Sequence, residues 1–144
     1  MNIKELKKMN NAQFKIECFR NGLYSPEQII EFYKVVHTEE TKYNSRDAQL
    51  WINGKSSREY QIDPKAIQIV DMLNAIRSEV IAKEKERIEL GNPRYKYLFK
   101  GEQALWSEHQ EFINLPVNFY NSIMVELGKK DLIYFEFSKK DIES

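Results

Sequence analysis

The chain has 144 residues, 42% hydrophobic and 31% charged, enough for one sizeable core and short for two. Its 22 basic and 22 acidic side chains cancel, which excludes a global field that would draw the protein to phosphate backbones or acidic membranes. The lone cysteine, Cys18, excludes an internal disulfide and fits a reducing compartment as a small buried hydrophobe, and no apolar window suits a signal peptide or a membrane span. The expectation is a cytoplasmic protein with no membrane association. It is a single domain over 1–144, with a helical part at about 1–92 and a helix-helix-strand part at about 93–144.

The first helix is expected to be capped by Asn11, to bury Ala12, Ile16, Phe19 and Leu23, and to stop at Asn21-Gly22. A second helix follows from Ser25, with Pro26 at its first position, Gln28 completing a capping box and Ile29, Ile30, Tyr33 and Val36 as its apolar stripe. Residues 45–62 read either as a short helix after Ser45 ending at Asn53-Gly54, or as a hairpin turning at the same pair. The polar run GKSSRE makes a poor partner strand, which favours the helix, and Trp51 packs inward in both cases.

Asp63 and Pro64 open the longest helix, whose Ala66, Ile69, Val70, Leu73, Ile76, Val80 and Ile81 run towards Leu90 and a stop at Gly91. At about 1.5 Å per residue this helix is roughly 40 Å long. Its charged second half projects into solvent or meets a partner, and self-association as a homodimer through residues 64–90 is a candidate mode. RYKYLF then alternates as a strand with Tyr95, Tyr97 and Phe99 on its buried face. Residues 102–114 are expected as one helix that brings Leu105, His109, Phe112 and Ile113 to one side. Pro116 starts the next helix, with Val117, Tyr120, Ile123, Met124 and Leu127 inward and Gly128 closing it. DLIYFEF reads as a strand pairing antiparallel with RYKYLF, with Ile133, Phe135 and Phe137 on one face. The expected fold class is therefore mainly α with a small antiparallel β element (α+β).

Catalytic and cofactor chemistry has no sequence signature. GKSS at 54–57 lacks the upstream glycine of a phosphate loop, where Gln49 stands instead. His37 and His109 belong to no metal-ligand constellation, no serine sits in a nucleophile elbow, and the paired carboxylates Glu39 with Glu40 and Glu84 with Glu86 read as solvated helix surface. The expectation is a non-enzyme with no catalytic residues, metal or cofactor. A lean towards Ile, Lys and Asn is common in AT-rich genomes, including those of phages and mobile elements.

The helix, break, helix and GKKDLIYFEF of the last third resemble the winged-helix superfamily, in which a helix-turn-helix runs into a wing strand through a pattern such as L-x-K-K-G-L-I. Leu127, Lys129, Lys130, Leu132 and Ile133 match it, and Asp131 stands where that pattern has glycine. The resemblance implies a winged-helix-like C-terminal part built on the long central helix, with Asn118, Asn121 and Ser122 pointing out of a recognition helix. Against DNA, no Lys or Arg lies between Glu102 and Gly128, and residues 94–144 hold 7 basic side chains against 8 acidic ones. The functional expectation is a protein-binding regulator, adaptor or inhibitor, with a winged-helix DNA-binding regulator as the alternative. The candidate partner-binding residues are Asn118, Asn121, Ser122, Lys129, Lys130, Arg94 and Lys96.

Overall fold

The computed structural model describes residues 9–38, 42–56 and 58–138. Among them are six α-helices, one 3-10 turn and two short strands: α1 (Asn11–Arg20), α2 (Pro26–Val36), α3 (Ser45–Asn53), α4 (Pro64–Glu89), β1 (Tyr95–Leu98), α5 (Glu102–Glu108), the 3-10 turn Gln110–Phe112, α6 (Val117–Lys129) and β2 (Tyr134–Phe137). The chain divides into two compact units, Met1–Met72 and Leu73–Ser144. No described helix is long and apolar enough to cross a membrane.

In the first unit, α3 packs against both α1 and α2, and Trp51 sits at the centre of that packing, buried as expected. The helix reading of 45–62 is the observed one. Asn44 caps α3 in a reciprocal box with Asp47, and Gly54 ends it at φ 74°. The chain then turns back tightly, with Lys55 and Arg58 exchanging backbone hydrogen bonds at 2.9 Å each. A side chain at Gly54 would collide with the Arg58 carbonyl, so both space and backbone conformation demand glycine there.

The start of α1 corrects the expectation. Asn10 is the cap, boxed with Gln13, while Asn11 is buried. The inward turn of Asn11 onto the Trp51 and Tyr60 backbone sets the buried side on residues 11, 14 and 18, so Phe14 and Cys18 enter the core and Ile16 and Phe19 are exposed. Gly22, at φ 83°, closes the helix as expected, with Leu23 N–H donating to the Cys18 carbonyl at 2.9 Å. In α2 the Ser25 cap holds, but Gln28 reaches back to Tyr24 N–H rather than to the cap residue.

In the second unit, α6 buries the five apolar residues expected of it and Phe119 as well. Gly128 is the penultimate residue of α6, so it does not close the helix. Closure comes at Asp131, at φ 57°, with Leu132 N–H donating to the Leu127 carbonyl at 3.1 Å. The ring of Phe135 occupies the space a Gly128 side chain would take, which lets β2 lie on the helix. The expected helix 102–114 is interrupted at Glu108, and the 3-10 turn that follows leaves Ile113 exposed.

The strands pair parallel, and this overturns the antiparallel expectation. Their register is Tyr95 with Tyr134, Lys96 with Phe135, Tyr97 with Glu136 and Leu98 with Phe137. The reason lies in the connection. α5 and α6 intervene, and a helical crossover carries the chain back to the start of β1, where a parallel partner must enter. Tyr134 N–H donates to the Arg94 carbonyl at 3.1 Å, and Ser138 N–H to that of Leu98 at 2.7 Å.

Candidate functional site

Register determines which side chains share a face of the two-stranded sheet. Residues side by side in a parallel pair point the same way, so Tyr95, Tyr97, Tyr134 and Glu136 share one face and Lys96, Leu98, Phe135 and Phe137 the other. The second face is inward only along β1 and at Gly128: Leu98 is buried, Phe135 lies against Gly128 and Lys96 reaches the Glu84 carboxylate at 3.0 Å, while Phe135 and Phe137 remain 39% and 50% exposed. Tyr95 and Tyr97 were expected inside with Phe99, and only Phe99 is buried. Alternation defined two faces of the strand but not which one is inner. A lysine with a carboxylate waiting at the end of its stem turned inward, and the tyrosines turned out.

The outer face is aromatic and exposed. Tyr97 is 46% exposed and Tyr134 64%. The Tyr95 and Tyr97 rings meet edge to face at 5.6 Å. Partial desolvation and a hydrogen bond to the Glu136 carboxylate raise the Tyr95 phenol above its ordinary pKa. Both strands are edges, because among the described residues the sheet has only these two. The face therefore offers three amphipathic rings, a carboxylate between them and unpaired strand backbone alongside.

The residues singled out from sequence occupy varied places. Asn121 is turned towards β1, accepting from Phe99 N–H at 3.1 Å and donating to its carbonyl at 2.6 Å. Ser122 accepts from Arg77 at 2.5 Å and donates to the Phe119 carbonyl at 2.6 Å. Neither side chain points out of the helix as expected, because each meets a stronger demand inside the unit. Asn118 is half-buried, and Lys129 and Lys130 are exposed, with Lys130 3.8 Å from Glu126. Arg94 donates to the Leu132 carbonyl at 3.0 Å and to that of Asp131 at 3.4 Å, which ties the start of β1 to the start of β2.

A polar cluster adjoins the inner face. Burial pushes the Glu84 carboxyl up, but hydrogen bonds from Arg87 and Lys96 outweigh this and leave it below the usual carboxylate range. His109 stacks on Tyr120 at 5.2 Å, its Nε2 lies 3.3 Å from the phenol, and its Nδ1 lies 3.4 Å from Glu111. Carboxylate, imidazole and hydroxyl in a row resemble a proton relay. However, Tyr120 is only 2% exposed, and burial raises its pKa, so the phenol meets no substrate and the row reads as packing. No group of His, Cys, Asp or Glu placed to hold a metal occurs among the described residues. Of the paired carboxylates, Glu39 and Glu40 lie outside the described residues, and Glu84 belongs to this cluster.

Arg77 was missed from sequence. It is 1% exposed, donates to Glu126 at 3.2 Å and lies over the Phe119 ring at 5.8 Å. The periodicity pointed to its neighbour Ile76, and a charged residue on an apolar stripe is normally read as exposed. Comparisons with protein-family models, with curated proteins and with solved structures return no match.

Proposed function

We propose that this chain is a non-enzymatic, protein-binding regulator, adaptor or inhibitor of the cytoplasm that docks a protein partner on the Tyr95, Tyr97 and Tyr134 face. The observation that carries this reading is the placing of three tyrosines on the outer face of a sheet with open edges, while a lysine lies beneath it. A tyrosine buries a large ring at little cost in side-chain entropy and keeps a hydroxyl for the rim, so such faces suit protein interfaces. Arg94, bound to the Leu132 and Asp131 carbonyls, supplies a polar neighbour on the side where β2 begins.

Charge favours protein over DNA. Glu136 stands among the tyrosines, the Lys96 ammonium is bound to Glu84, and Arg94 is held by two carbonyls. A phosphate backbone would meet a carboxylate at the centre of this face. The reading is tested by titrating the purified chain into a DNA ladder at rising salt. It predicts no shift at physiological salt. A shift that weakens steeply with salt and is abolished by Lys129→Glu with Lys130→Glu would favour the winged-helix DNA reading instead.

A further inference from the structure

A second feature lies in the unit Met1–Met72 and is independent of the tyrosine face. Between the end of α3 and the start of α4 is an open cleft of about 460 Å³, lined by Tyr43, Trp51, Tyr60, Gln61, Ile62, Asp63 and Pro64. That volume falls in the range of about 300 to 1,000 Å³ common to ligand sites.

Its lining is an aromatic arc closed by a carboxylate. Tyr43 meets Trp51 edge to face at 5.1 Å, and behind the lining the buried Tyr33 lies 5.9 Å from Tyr43 and 6.1 Å from Trp51. Asp63 is fixed by two donors, the Tyr33 hydroxyl at 2.6 Å and Lys65 N–H at 3.4 Å, and its oxygens retain further lone pairs. Tyr60 is held by Asn11, which accepts from its N–H at 2.6 Å and donates to its carbonyl at 2.8 Å. The walls are thus anchored before any ligand arrives. Burial, then the charges of Asp63 and Asp47, raise the Tyr43 phenol, and Lys65 offsets them only in part.

We propose that this cleft binds an alkylammonium group, either the side chain of a lysine on a partner or a small organic amine. Ring faces attract a cation through their quadrupole, a carboxylate adds charge, and the cleft is wide enough for the aliphatic stem as well as the head.

The test follows the two tryptophan indole N–H signals of the full-length chain by proton-nitrogen correlation NMR, with Trp106 as the internal control. Butylammonium chloride is the probe, with sodium chloride and 1-butanol as controls. The expected result is a saturable shift of the Trp51 signal with a millimolar Kd, unchanged Trp106, and at least a fivefold weakening in Asp63→Asn, which keeps the helix cap, and in Tyr60→Leu. An acetylated, amidated lysine tripeptide that binds more tightly than butylammonium identifies a partner's lysine as the source, and one that binds no more tightly identifies a small amine. The proposal is overturned if Trp51 shows no saturable shift, if 1-butanol produces the same shift, or if both variants bind as the wild type does.

Discussion

The side-chain amide of Asn11 and the backbone of Tyr60 exchange two hydrogen bonds, at 2.6 and 2.8 Å, as two strands would. The same Nδ2 reaches the Trp51 carbonyl at 2.9 Å, so one buried asparagine joins the start of α1, the end of α3 and the segment leading to α4. Asn121 does the same for Phe99 in the other unit. In each case a side chain supplies what a neighbouring strand would otherwise provide.

Replacing Asn11 with alanine leaves the Tyr60 N–H and two carbonyls without this partner. At about 1–3 kcal/mol for each buried group so exposed, the expected loss of stability is about 3 kcal/mol. Denaturant unfolding followed by tryptophan fluorescence measures it. A loss below about 0.5 kcal/mol would mean that water replaces the amide without penalty.

Asp131 at φ 57° occupies the left-handed position that ends α6. Asp131→Gly relieves that strain and is expected to stabilise the chain by about 0.5–1 kcal/mol, seen as a rise in Tm.

Arg77 is a buried cation joined to Glu126 and Ser122. Arg77→Ala removes a fully buried side chain with its bonds to Glu126 and Ser122 and opens a cavity, with an expected cost of about 2–5 kcal/mol. Arg77→Met combined with Glu126→Gln removes the ion pair while keeping the volume, and is expected to recover much of that loss. Thermal melts of the two variants separate the roles of charge and volume.

Much of this architecture was legible in the sequence because it rests on local chemistry. Pro26, Pro64 and Pro116 marked helix starts, Gly22, Gly54 and Gly91 marked stops, and the stripe of α6 marked its buried side. The errors arose where distant partners decide. Whether Tyr95 or Lys96 faces inward depends on Glu84 in α4, strand direction depends on what the crossover helices do, and the inward turn of Asn11 and Asn121 depends on backbone groups 49 and 22 residues away. The tyrosine face was hidden for the same reason, since a strand with aromatic alternation normally reads as core.

Acidification is expected to weaken the second unit through His109. Burial lowers its pKa from 6.5, with Glu111 and Glu84 opposing and Lys96 assisting that shift. As pH falls below 6.5 the unfolded chain takes up the proton first, so it binds more protons than the folded chain and stability drops across the window down to the folded pKa. Above that window the contribution is complete. Tyr120 acts at the other extreme. Its pKa is raised by burial, and then by Glu84 and Glu111, so stability is retained below pH 10 and lost as pH rises beyond it. Tm is expected to fall from pH 7 to pH 5 in the wild type and to change less in His109→Gln.

Docking of a protein on the tyrosine face is tested most directly by comparing the wild-type chain with a Tyr97→Ser and Tyr134→Ser double variant as baits in nuclease-treated lysate of the source cells, followed by light scattering of the recovered complex. Both side chains are exposed, so the variant is expected to melt within about 0.5 kcal/mol of the wild type. The expected result is a stoichiometric protein partner on the wild type that is lost from the variant. A partner retained equally by both, or capture that disappears with nuclease, would contradict it.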